Sequence, residues 1–162
     1  MSDIRESIAR AVADAGLAPS AFRLVGHTRW ESLLNDIVST FTTTSPRTVW
    51  LWEHLKEPRE AARGANALVA LPLLLPHSEP VWFIAEAWHC KKARSVHWVF
   101  ETNTKHVLPV LQEHHHFEFY VVSKHLQWMV GENHHDTVFC VGEPMVSEVK
   151  RRNAMPDGWR AS

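Results

Sequence analysis

Two stretches near the start of the chain repeat apolar residues at the helical interval. Ile4, Ile8, Ala11, Val12 and Ala15 share one face of a helix predicted over residues 3–15, with Asp3 and Glu6 at capping-box positions and Gly16 as its stop. Further on, Trp30, Leu33, Leu34, Ile37, Val38 and Phe41 form a continuous apolar stripe behind a Thr28 and Glu31 box. A helix with one apolar stripe must bury it, so both are expected to cover a sheet.

The sheet is expected from shorter runs. Residues 48–52 read as a strand with Trp50 and Trp52 on one face, and residues 81–85 and 96–100 as two more, the second with Val96, Trp98 and Phe100 inward. Three further strands are predicted over residues 117–122, 126–130 and 138–141. Pro58 opens a short predicted helix ending at Gly64, whereas Pro72 and Pro76 break residues 68–75 into a packed apolar loop. Asn103 caps a helix carrying Val107, Leu108 and Leu111, kinked or delayed by Pro109. Pro144 starts a last helix with Val146 and Val149 inward and Lys150, Arg151 and Arg152 at its C-terminal end. Residues 1–162 therefore predict one α+β domain, a largely antiparallel mixed sheet of about five to six strands with helices packed against it.

Composition narrows the classes of function. Of the 162 residues 45% are hydrophobic and 22% charged, which suits a packed core. The formal charge of −1 supplies no overall field to recruit nucleic acid or an anionic membrane, and neither partner is expected. The basic loop Lys91-Lys92-Ala93-Arg94 and the run Lys150-Arg151-Arg152 are read as solvated surface. Only two cysteines occur, Cys90 and Cys140, and the N-terminus has no apolar core of a secretion signal, so a cytoplasmic setting is expected. Twelve histidines stand out, eight of them between His97 and His135. From Glu101 to Glu143 six carboxylates face two lysines, a local balance of −4 that suits a basic partner.

Chemistry concentrates in the polar run Glu132-Asn133-His134-His135-Asp136, set between two predicted strands. With His114-His115-His116, and with Cys90 or Cys140, it holds the donor types of a divalent metal site, for which His114, His116, His134, His135 and Asp136 are weak candidates. Neighbours on a strand point to opposite faces, so alternate members at most converge, and no cofactor is assigned. As catalysts, His134 would be the base, Asp136 its orienter and Glu132 an acid. No GxSxG elbow or phosphate-cradling glycine loop accompanies them. As structure, the run is a turn in which Asn and Asp bond the backbone. Trp30, Trp50, Trp98 and Trp128 read as core, while Trp88 and Trp159 have no periodic partner and suit an interface or satellite packing.

From about Pro80 to Glu143 the chain resembles a family of small single-domain bacterial immunity-type and uncharacterised cytoplasmic proteins. The likeness rests on Glu-Pro-Val-Trp-Phe-Ile at 79–84, Trp98 to Glu101, Phe117-Glu118-Phe119-Tyr120-Val121-Val122 followed by Ser123-Lys124 and Trp128, and above all on Glu132-Asn133-His134-His135-Asp136. The resemblance implies a mixed sheet with helices on it and a protein that binds and occludes a cognate toxin without catalysis of its own. Its partner surface would be Glu132, Asn133, His134, His135, Asp136, Glu118 and Trp88, with the acidic flank from Glu101 to Glu118. The alternative is a metal-dependent or acid–base enzyme of hydrolase type centred on His134, His135 and Asp136.

Overall fold

The Asp3 carboxylate accepts a hydrogen bond from the Arg5 backbone N–H at 3.0 Å and so caps α1 (Ile4–Asp14), which buries Ile8, Ala11 and Val12. A computed structural model describes residues 3–48, 50–86, 97–114 and 117–161. After α1 come β1 (Arg23–Leu24), α2 (His27–Phe41), a 3-10 turn over Leu51–His54, β2 (Arg59–Ala61) and α3 (Ala67–Leu74). The remainder runs β3 (Pro80–Glu86), β4 (His97–Asn103), α4 (Thr104–Glu113), β5 (Glu118–Ser123), β6 (Met129–Glu132), β7 (Val138–Val141) and α5 (Met145–Asn153). All seven strands join one sheet in the order β1-β4-β3-β5-β6-β7-β2, and every neighbouring pair is antiparallel. The architecture is α+β as expected. The sheet has seven strands rather than five or six.

Both faces of the sheet are covered, which is why β3, β5, β6 and β7 are near-continuous apolar runs instead of alternating ones. On one face Val81, Phe83, Phe119, Val121, Val130 and Cys140 meet the apolar sides of α1, α3, α4 and α5. On the other, Trp82, Ile84, Val99, Tyr120, Met129 and Phe139 meet Leu34, Ile37, Val38 and Phe41 of α2 together with Leu51 and Leu55. Each such buried side chain contributes about 1.5–3 kcal/mol. One glycine is fixed by this packing: a Cβ at Gly131 would lie 2.4 Å from the Phe119 carbonyl oxygen.

Three segments depart from the sequence expectation. Residues 68–75 are mostly helix, not loop. Pro72 costs about 3 kcal/mol inside α3, but the Asn66 side chain caps the helix and Ala67, Ala70, Leu71 and Leu74 are all buried, so packing outweighs the lost hydrogen bond. Residues 58–64, read as a short helix, instead supply β2, which pairs Arg59, Glu60 and Ala61 with Val141, Cys140 and Phe139. Of the strand expected at 48–52, Val49 lies outside the described residues and the others form no strand, because Trp50 takes φ 60°, ψ 64° and turns the chain into the 3-10 segment. That left-handed backbone costs a non-glycine residue about 1–2 kcal/mol. The strand expected at 126–130 begins only at Met129, after Leu126 turns with φ 53°. Val96 lies outside the described residues. Among the described residues no helix is long and apolar enough to cross a membrane.

Candidate functional site

Cross-strand register assembles the site. Glu86, the last residue of β3, stands opposite His97 on β4 and Glu118 on β5, and residues directly opposite in an antiparallel pair share a face. Tyr120, two residues beyond Glu118, lies on the same face, the one covered by α2. Two carboxylates, an imidazole and a phenol are thereby buried at one end of the sheet, Glu86, Glu118 and His97 each being no more than 1% exposed. Burying two carboxylates is costly unless each is hydrogen-bonded.

Glu86 takes three partners. The Tyr120 hydroxyl donates to Oε2 at 2.8 Å, the Trp50 backbone N–H donates to Oε1 at 2.5 Å, and His97 Nε2 lies 3.4 Å from Oε2. His97 Nδ1 is 3.2 Å from the Pro46 carbonyl, so the loop before Trp50 is tied to the same group. Burial, with the charges of Glu86 and Glu118 beside it, pushes the Tyr120 hydroxyl well above its ordinary value of 10.0 and keeps it a hydrogen-bond donor. The bond to Glu86 holds Trp50 in its left-handed conformation, a local strain of the kind that gathers at functional sites.

Glu118 is the base of the second half. Its Oε1 accepts from the His134 backbone N–H at 3.0 Å, from His134 Nδ1 at 2.5 Å and from the Trp52 indole Nε1 at 3.3 Å. A carboxylate only accepts, so Nδ1 carries the proton and a neutral His134 ring keeps its lone pair on Nε2. Glu118 Oε2 is buried, and no hydrogen-bond partner is found for it among the described residues. The His134 side chain is 33% exposed and its ring packs at 5.6 Å from Trp50, 6.1 Å from Trp52 and 4.0 Å from His135. The arrangement is an imidazole oriented by a buried carboxylate and walled by two indoles.

The Glu132–Asp136 run divides. Glu132 opposite Phe119 lies on the other face of the sheet, where its Oε2 accepts from the Ala67 backbone N–H at 2.5 Å and so closes the N-terminus of α3. Asn133 is a turn-former: its Oδ1 accepts from the backbone N–H groups of His135 and Thr137 at 2.9 and 3.1 Å. His134, His135 and Asp136 are the exposed tip, with Asp136 in the left-handed region at φ 56° that Asp tolerates. Of the residues named for a partner surface, Glu118, His134, His135 and Asp136 are thus brought together, and Glu132 is turned away. Trp88 lies outside the described residues, as do Cys90 and the 91–94 basic loop.

Among the described residues the metal candidates do not converge. His114 ends α4 with its ring 5.4 Å from Phe117, which packs on the face opposite to His134, and His116 lies outside the described residues. Among the described residues no group of three or more His, Cys, Asp or Glu side chains is arranged to hold a metal ion. Sequence reasoning missed Glu86, His97, Tyr120, Trp50 and Trp52 as site residues. Only Trp50 and Trp52 carried a signal, their shared side; the others depend on register between distant strands.

No curated protein and no solved structure matches the chain. The family match covers residues 1–153, nearly the whole sequence: the chain belongs to the Family of unknown function (DUF6756).

Proposed function

We propose that this chain is a protein-binding antagonist of immunity type, which neutralises a cognate toxin by occluding it with the His134–His135–Asp136 tip and the flanking Trp50 and Trp52. The carrying observation is the hydrogen bonding that supports that tip. Asn133 bonds the backbone of the turn from within and Glu118 bonds His134 from below, so the turn and the His134 ring are hydrogen-bonded before a partner arrives. Ordering a rotamer-rich side chain on binding costs about 0.5–1.5 kcal/mol, and a preformed loop avoids much of it. Indoles beside an exposed polar tip are also the residue type that dominates binding energy at interfaces. The exposed carboxylate of Asp136 favours a basic patch on the partner.

A second reading is favoured by one specific feature, the Glu118–His134 pair, which has the form of a general base with its orienter. The two readings separate in one experiment. His135→Ala/Asp136→Ala and His134→Gln variants are co-expressed with candidate toxins encoded beside this gene, and growth and affinity for any toxin that the wild type neutralises are recorded. Antagonism predicts that the tip double variant weakens binding about 100-fold or more and abolishes protection. Full protection by the double variant would sink the proposed surface. Hydrolysis of a model ester or phosphodiester that His134→Gln abolishes, with toxin binding absent, would install the acid–base reading instead.

A further inference from the structure

A polar cleft of about 460 Å³ is lined by Arg63, Arg152, Arg160, Asp157 and Trp159. It lies between the segment after β2, the end of α5 and the C-terminal tail. One side chain joins the three walls. Asn153 Oδ1 accepts from the Arg63 backbone N–H at 2.9 Å and from Trp159 Nε1 at 3.1 Å, and its Nδ2 donates to the Ala61 carbonyl at 2.9 Å. The tail also presses close on the helix: a Cβ at Gly158 would lie 1.9 Å from the Arg152 carbonyl oxygen. The cleft is therefore a built feature and not a fraying terminus. Residues 155–160 lie beyond the family match, which ends at residue 153.

Charge decides what it would hold. Arg152 gives Nε to Glu148 at 2.7 Å and one terminal nitrogen to the Gly158 carbonyl at 2.6 Å, which fixes the guanidinium at the cleft edge. Glu148 is shared with Arg151, so one carboxylate faces two guanidinium groups. Asp157 pairs with Arg160 at 3.3 Å. For the exposed Arg63 no ion pair is found among the described residues. Of the residues lining the cleft, Arg63, Arg152 and Arg160 oppose Asp157, an excess of two positive charges, with Arg152 also paired to Glu148 outside the lining. At the carbonyl end of α5, which would repel an anion, the Lys150 and Arg152 carbonyls accept from the backbone N–H groups of Ala154 and Met155.

We propose that this cleft binds a phosphate-bearing small molecule, the phosphate held by Arg63 and Arg160 at the rim and any ring system laid against Trp159. Forked guanidinium donors match phosphate oxygens, and the volume falls in the range of small-molecule sites. The inference is independent of the toxin-binding reading.

The test is calorimetric titration and thermal shift of the full chain with inorganic phosphate, ADP and adenosine at low ionic strength. Three proteins are compared: wild type, Arg63→Ala/Arg160→Ala, and Arg10→Ala as a surface-charge control. Phosphate and ADP should bind and raise the melting temperature of wild type and of the control, and the double variant should lose about tenfold or more in affinity. Tighter binding of ADP than of phosphate would support the contact with Trp159. No heat with millimolar phosphate or ADP overturns the proposal. So does equal affinity in the double variant, or binding of adenosine as strong as that of ADP. Both arginines are exposed and outside the core, so the variant keeps the fold.

Discussion

Glu132→Ala separates the structural part of the polar run from its exposed part. Glu132 is 6% exposed and its Oε2 accepts from the Ala67 N–H, the first residue of α3. Removing a charged acceptor from a buried donor costs about 1.5–3 kcal/mol. Loss of a carboxylate at a partly buried helix N-terminus adds about 0.3–2 kcal/mol. Relief of the cost of burying the charge works the other way, so a net loss of about 2–3 kcal/mol is expected. For a chain of this size each kcal/mol lowers the melting temperature by about 2–4 °C, giving a fall on the order of 8 °C. The assay is urea unfolding followed by tryptophan fluorescence, where the midpoint should drop with an unchanged slope. Glu132→Gln, which keeps an acceptor oxygen, should fall between. Folded Glu132→Ala should bind any partner with wild-type affinity, since Glu132 faces α3. A stability loss under about 0.5 kcal/mol, or a specific loss of binding, would refute the assignment of Glu132 to the helix N-terminus.

Three other outcomes follow from the same geometry. Asn133→Ala removes the acceptor of the His135 and Thr137 N–H groups; a stability loss of about 1–3 kcal/mol is expected by denaturant titration, together with loss of hydrogen-exchange protection confined to residues 133–137. Burial pushes the Cys140 thiol up to about 12, so in a Cys90→Ser background Cys140 should react with a thiol reagent only at the rate of unfolding. Arg151 beside Glu148, and Lys124 beside Glu101, hold both carboxyls below their ordinary value of 4.5 in the folded chain. Their stabilisation is therefore present above that value and is lost as pH falls through the lowered folded-state values. With the two carboxylates about a third exposed, each contributes under about 1 kcal/mol. The acid limb of a stability profile should flatten slightly in Glu148→Gln, and a large change would contradict the surface character of these pairs.

Helices whose caps and stripes agree were legible from the chain, α1 with its Asp3 cap and α4 with its Asn103 cap; for α2 the apolar stripe from Leu34 to Phe41 was legible, but the helix begins at His27 behind Gly26 and not at the expected Thr28 and Glu31 box. Where tertiary packing overrode local preference the reading failed. Pro72 argued against the helix that burial of Leu71 and Leu74 sustains, and nothing local marked Arg59–Ala61 as the partner of β7. At the site, adjacency in sequence misled. Glu132 and His134 stand two residues apart, but the first ends a strand facing α3 and the second begins a turn over Glu118. Glu118, named for its acidity, proved to be the group beneath His134. Glu86 could not be found in this way, because its partners Trp50, His97 and Tyr120 are brought to it by register alone.

The sheet closes on strands of two residues at one margin and three at the other, carrying Arg23, Arg59 and Glu60. So short and charged a margin offers few main-chain donors and acceptors to an incoming chain. Copies of this protein have little purchase for stacking edge to edge into fibrils, and a visiting polypeptide gains little by adding itself as an eighth strand. Any contact with another chain therefore falls to side chains on the loops rather than to the sheet margins.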